Sequence, residues 1–210
     1  MARITGVPED KAGPMTKLTY FFMRRGMKKL TGRDPALGSG IEPAVIWAVR
    51  PKMMMGMGFF NGAVRTGKAL DERLKNLVEL KATQMIGCEW CVDLGSQICR
   101  NSGLSDDELL AVPKYQSSDL FTEREKTALD YAVGVMRTPV EVSDELFDRM
   151  KRHFTDQQLV ELTALLTVVN LDRFNAAFGI GSAGFSEGMV CLTPDRPASA
   201  EQPTTATTAT

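Results

Sequence analysis

The sequence predicts an all-α protein. Apolar residues recur at three- and four-residue spacing from about residue 14 to 170, as helices require. Helix-start signals of the capping-box type punctuate the chain after residue 104. No alternating apolar and polar run of useful length marks a strand. With 210 residues, 43% of them hydrophobic, the chain suits one globular domain, or two halves sharing a core. A net charge of -1 and a sequence pI of about 5.9 do not suit a nucleic-acid binder, which needs clustered Lys and Arg. No run approaches the roughly 20 apolar residues of a membrane span. MARITGVPEDKAGPM has no apolar signal-peptide core, so a cytoplasmic protein is expected.

Taken in order, residues 1–13 read as an irregular arm. Residues 14–31 read as a basic amphipathic helix, with Tyr20, Met23, Met27 and Leu30 on one stripe and Arg24, Arg25, Lys28 and Lys29 on the other sides. GRDPALGSG (32–40) is a Gly- and Pro-containing loop. A helix over roughly 42–66 follows, disturbed at Pro51, with Met53, Met54, Met55 and Met57 as adaptable core filler. The spacing of Leu74, Leu77, Val78 and Met85 predicts a strong helix over 71–86. The cysteine-bearing helix runs from about 88 to 102 and stops at Gly103. Ser105, Thr122 and Thr155 each have Glu or Gln three residues later, and Ser143 precedes Asp144 and Glu145, which suit the positive end of a helix. These boundaries give an N-terminal arm and helix (1–40), a helical domain (41–190) and a disordered Pro/Thr/Ala-rich tail (193–210). LVEL occurs at 77–80 and again at 159–162, each time opening a long apolar helix, which predicts an internal helical repeat.

The stretch GCEWC (87–91) is the chemical signal. On a helix Cys88 and Cys91 share a face, with Cα atoms roughly 5 Å apart, within reach of a disulfide. If Gly87 ends the preceding helix, Cys88 enters the first turn of the next, where free backbone N–H groups favour a thiolate. Three other readings stand beside redox chemistry. Both cysteines could be buried hydrophobes. A zinc site needs two more ligands, and only Cys99, Cys191 and His153 remain, at no recognisable spacing. A thioredoxin-type site needs a preceding strand, whereas a helix precedes here. Cys99 is read as structural, His153 as a surface or packing residue, and Cys191 is unassigned.

LVELKATQMIGCEWCVDLGSQICRNSGLSDDEL (77–109) resembles the core motif of the carboxymuconolactone decarboxylase and alkylhydroperoxidase D superfamily, and FTEREKTALDYA (121–132) and NLDRFNAAFG (170–179) also look like it. The resemblance covers about 43–180. It implies an alkylhydroperoxidase D-like helical fold, a homo-oligomer (trimer or hexamer), and no cofactor or metal. It carries Cys91 as the peroxide-reactive thiol and Cys88 as the resolving one. The family's acid, twelve residues before the first Cys, falls on Asn76. The acid found nine residues before it in other members falls on Glu79, taken here as the assisting group. The family's His, four residues after the second Cys, falls on Gly95, so any proton relay must run through Glu79, with water or Asp93.

The expected function is therefore a thiol-dependent peroxidase or disulfide oxidoreductase, weakened by the absent His. Its expected partners are a hydroperoxide and a dithiol or thioredoxin-like reductant. The alternatives are a non-redox helical oligomer that binds a small apolar ligand or processes a lactone-like substrate, and an assembly protein with a decayed site.

Overall fold

A computed structural model describes residues 2–34 and 40–186. Part of the 32–40 loop, Cys191 and the predicted tail lie outside the described residues. The described residues are helical with no strand. After a 3₁₀ turn at Glu9–Lys11, the helices are α1 (Pro14–Thr31), α2 (Glu42–Trp47), α3 (Pro51–Arg65), α4 (Glu72–Ile86), α5 (Glu89–Asn101), α6 (Asp106–Ala111), α7 (Glu123–Met136), α8 (Asp144–His153), α9 (Asp156–Val169) and α10 (Asp172–Ala177). None is long and apolar enough to cross a membrane.

The ends follow from local chemistry. Ser105, Thr122 and Thr155 form complete capping boxes with Glu108, Glu125 and Gln158. The Ser143 hydroxyl accepts from the Leu146 N–H. Each such cap is worth about 1 kcal/mol. The anticipated 42–66 helix divides into α2 and α3, because Pro51 has no N–H to continue the ladder and sits well only in a first turn, where it starts α3. The arm before α1 is irregular but anchored. Arg3 N–H donates to Phe178 O, Val7 N–H to Val45 O, and Tyr20 Oη to Val7 O.

α4 is the central helix. It packs against α5, α7, α9 and α10, and Leu74, Leu77, Val78, Leu80 and Ala82 are all fully buried. They join Val92, Leu129, Ala132, Met150, Leu162, Leu165 and Leu166 in the main core. A second core gathers Tyr20 and Met27 of α1, Ile41, Ala44, Met54 of α3 and Phe185. The break before α3 turns most of its methionines outward. Met54 is buried, but Met53 and Met55 are exposed, contrary to their reading as core filler, and Leu30 of the predicted α1 stripe is exposed too. Phe59 is 81% exposed, and Phe21, Phe22 and Phe60 are also at the surface.

The two LVEL segments lie within α4 and α9, which pack on one another. Their glutamates are both in ion pairs. Glu161 of α9 accepts from Lys75 Nζ at 3.1 Å and from the backbone N–H groups of Ala69 and Leu70. Lys75 is 3% exposed, so its charge depends on Glu161, on Gly67 O and on a longer contact, at 3.4 Å, to Glu72. Removing one partner of a buried ion pair leaves the other charge uncompensated, at a cost of roughly 3–5 kcal/mol. Glu161→Ala should lose about that much stability in chemical denaturation at neutral pH. A loss below about 1 kcal/mol would mean that Lys75 reaches water on its own.

Candidate active site

The site is built at the corner between α4 and α5. Gly87 stands at φ 74°, in the left-handed region, and its N–H closes α4 on the carbonyls of Thr83 and Gln84. Cys88 is then the N-cap of α5, with its sulfur accepting the Cys91 N–H at 3.3 Å. The two cysteines are joined as a disulfide, with Cα atoms 5.3 Å apart. Cys88 is fully buried and Cys91 nearly so.

Beyond Cys91 lies a cavity of about 450 Å³ between the two cores. Met23, Met27, Trp47, Met54, Trp90, Leu94 and Ile98 form much of its apolar wall. Trp47 stacks on Phe174 with ring centroids 3.9 Å apart, which braces one side. Polar groups of the wall include Asn61 and Arg65 of α3, Asn76, Glu79 and Thr83 of α4, and Asp172 and Asn175 of α10. Cys91 and Glu79, both anticipated from the sequence, thus line one cavity.

Glu79 makes a two-pronged pair with Arg65, through Nη1 at 3.0 Å and Nη2 at 2.5 Å. Arg65 Nε donates to Asn61 Oδ1, which fixes the guanidinium plane. Glu79's charge holds the Arg65 guanidinium still more firmly protonated than usual. Asp172 behaves differently. Enclosure in the protein pushes its carboxyl up to about 7; the Thr83 hydroxyl, donating at 2.9 Å, works against that shift, and the nearby Glu79 charge adds to it. Asn175, one turn further along α10, directs Nδ2 at Cys91 Sγ at 3.4 Å. Its Oδ1 is buried without a partner.

Other candidates have different partners. Asp93 cannot serve as the cysteine's proton acceptor, because its carboxylate accepts five hydrogen bonds from the segment 182–186. Burial alone would raise its pKa; bonds from Ser186, Phe185 and Ser182 outweigh that and hold the carboxyl below its usual range. Asn76 donates to Ser102 Oγ and ties α4 to the end of α5. The Cys99 thiol donates to Asn76 O at 3.7 Å and stands outside the bridge. His153 is exposed at the end of α8 and is not part of the cavity wall. At Gly95 an added Cβ would meet only Leu80 Cδ1, at 3.6 Å, so the room for a side chain is present.

Arg65, Thr83, Asp172 and Asn175 were not singled out in the sequence. The available signal was an acid and an amide three apart within NLDRFNAAFG, just after the second LVEL helix. Asp172 makes a measurable contribution to stability. Its carboxyl binds its proton more tightly folded than unfolded, so the folded state holds more protons between about pH 4 and 7, and stability falls as pH rises through that window. The upper bound is about 4 kcal/mol, from some three units at 1.36 kcal/mol each. Asp172→Asn should therefore gain stability relative to the parent as pH is raised from 4 to 8, read as melting temperature at each pH. A constant difference across the range would mean that Asp172 titrates at its ordinary value.

Comparison with known proteins follows the same lines. The Carboxymuconolactone decarboxylase family model matches residues 51–133, which span α3 to most of α7. The chain is 36% identical over 161 residues to the uncharacterized protein YnjA of Escherichia coli K12, covering 76% of this chain and 86% of that one. It is 25% identical over 113 residues to YdfG of Bacillus subtilis 168, covering 53% of this chain and 77% of that one. Among solved structures, the debrominase Bmp8, as its C82A variant in complex with 2,3,4-tribromopyrrole, aligns at TM-score 0.73 with 20% identity over 90% of this chain and all of that one. A peroxidase-related protein with an alkylhydroperoxidase AhpD core from Ralstonia eutropha JMP134 aligns at TM-score 0.67 with 18% identity, over 86% of this chain and 92% of that one. At those identities the structures bear on the fold alone, and that fold is the expected alkylhydroperoxidase D-like one. The chain belongs to the carboxymuconolactone decarboxylase family.

Proposed function

We propose that this protein is a thiol-dependent peroxidase or disulfide oxidoreductase in which Cys91 attacks and Cys88 resolves. The observation that carries this reading is the Cys88–Cys91 bridge at a helix start, beside an apolar cavity lined by Cys91. In the reduced protein, Cys91 lies in the first turn of α5, where unpaired N–H groups favour the thiolate. The Asn175 amide adds a donor to the same sulfur. Attack on a hydroperoxide gives a sulfenic acid, and Cys88, already within bonding range, closes the disulfide with loss of water. Glu79 assists proton transfer as part of the Arg65–Glu79–Asp172 cluster. Because the bridge is buried, a small dithiol entering the cavity suits the reductive half better than the flat face of a thioredoxin-like protein. The cytosol is the compartment in which such a bridge is recycled.

The residues exposed on α1 and α3, Phe21, Phe22, Met53, Met55, Phe59 and Phe60 among them, form an apolar surface of the kind that a second copy covers. The working unit on this reading is a trimer or hexamer. Light scattering at micromolar concentration should give at least three times the chain mass, and a monomer would remove the idea.

A second reading rests on the cavity itself, whose volume and apolar wall suit a compact small molecule held without covalent chemistry. The complex of the debrominase variant with a tribromopyrrole shows that a protein of this fold takes a small ring compound. A lactone-like substrate belongs under the same heading. The cysteine variants separate the readings. Cys91→Ser should abolish consumption of an organic hydroperoxide with a dithiol, whereas Cys88→Ser should stall at a sulfenic acid that dimedone traps. Undiminished turnover in Cys91→Ser, or none in the parent, would sink the peroxidase reading and leave the ligand-binding one.

A further inference from the structure

We infer that Asp172 of α10 carries the proton in the Cys91 reaction, reaching the reacting atoms across the cavity in place of a base on α5. This rests on the peroxidase reading of the cysteine pair. Asp172 and Asn175 are three residues apart on one helix and so share a face. Asn175 contacts Cys91 Sγ at 3.4 Å, and Asp172 lines the same cavity one turn away. Asn175 Oδ1 is a buried acceptor with no partner in the protein, an orphan that a substrate O–H would satisfy. One residue of this face thus touches the sulfur, and the other presents a carboxyl to the space where a substrate must lie.

The competing groups are occupied or distant. Glu79 is held in its two-pronged pair with Arg65 and assists through its charge on Asp172, and Asp93 is held by its five donors. Gly95 offers no side chain, and His153 is at the surface. The charged and titratable groups facing Asp172 are Glu79 from α4, Arg65 from α3 and Cys91 from α5; Arg173 of its own helix is directed to Asn170 and Met136 instead. Thr83 occupies Asp172 Oδ2, which leaves Oδ1 for transfer. With its carboxyl titrating at about 7, both protonation states are present near neutrality, as a group that must accept and then return a proton requires.

The step balances as follows. The Asp172 carboxylate takes the Cys91 thiol proton, directly or through one water. The thiolate attacks the terminal oxygen of the hydroperoxide, forming the S–O bond as the O–O bond breaks. Sulfur loses two electrons and becomes a sulfenic acid, keeping the terminal O–H. The departing alkoxide takes the proton from Asp172 and leaves as an alcohol. Asp172 is again a carboxylate. Cys88 then displaces the sulfenic oxygen, which leaves as water with the Cys88 proton.

The test uses the full-length, reduced protein and two electrophiles. Cumene hydroperoxide needs a proton for its leaving group, whereas iodoacetamide releases iodide and needs none. Asp172→Asn should lower the hydroperoxide rate roughly 10²- to 10⁴-fold, the usual worth of positioned acid–base help, and remove the inflection near pH 7. Alkylation of Cys91 above pH 9, where the thiol ionises unaided, should change less than about tenfold. Equal losses with both reagents would mark Asp172 as structural and overturn the inference. Thr83→Val supplies a second reading that does not depend on the Asn variant folding. Without the Thr83 hydroxyl the Asp172 carboxyl titrates higher, so the inflection should move to higher pH, and an unmoved inflection counts against the proposal. If the parent itself ignores the hydroperoxide, the peroxidase reading falls and this role with it. If the parent reacts and Asp172→Asn matches it at every pH, the role of Asp172 alone is wrong.

Discussion

Everything in the site hangs on the corner at Gly87. A left-handed residue ends α4 and lets the next one begin α5. That single turn fixes the angle between the helix carrying Glu79 and Thr83 and the helix carrying Cys91. A side chain at Gly87 would be strained by its backbone conformation even though space is available, so the glycine is required by φ rather than by crowding. The corner is held from outside as well. α4 is buried among α5, α7, α9 and α10, and Asn76 pins the far end of α5 through Ser102. The cysteines inherit their geometry from this packing.

The polar side of the cavity shows how a cluster of charges in one wall sets the state of its members. Three ionisable groups, Arg65, Glu79 and Asp172, stand close together with one positive charge among them. Arg65 commits to Glu79 with one hydrogen bond and a second close ionic contact and leaves Asp172 with a neutral donor, Thr83. Burial raises the carboxyl of Asp172 to about 7, and the neighbouring charge of Glu79, which has the cation, adds to that shift. The second LVEL helix uses its glutamate in a structural manner instead: Glu161 neutralises a buried lysine and holds two backbone N–H groups at the entry to α4. Both LVEL glutamates thus neutralise a basic side chain, one in the cavity wall and one at the entry to α4.

What was legible in the sequence was what is determined locally. The caps at Ser105, Thr122, Ser143 and Thr155, the stop at Gly87 and the same-face cysteines are each set within three or four residues. The exposure of Met53 and Met55 was not legible, because a break at 48–50 resets which side of α3 faces inward, and a methionine stripe does not reveal that rotation. Asp93 looked available in the sequence, one turn from the cysteines, and only the folded chain brings five donors to it from some 90 positions away. Asp172 and Asn175 escaped for the same reason, since the contact from Asn175 to Cys91 spans 84 positions.

The Asp93 clamp has a consequence for the order in which the molecule is made. The cysteine corner closes over three residues, which costs little loop entropy, and it can form as soon as α5 leaves the synthesis machinery. The cavity cannot. Ser186 reaches Asp93 across 93 residues, and Asn175 of the cavity wall reaches Cys91 across 84, so the wall is completed only when α10 and the segment after it dock. During synthesis the thiol pair therefore exists unroofed, open to stray oxidants and to other thiols. A second cysteine already seated in the same helical turn directs an early oxidation into a short reversible bridge, ahead of cross-linking with a neighbour.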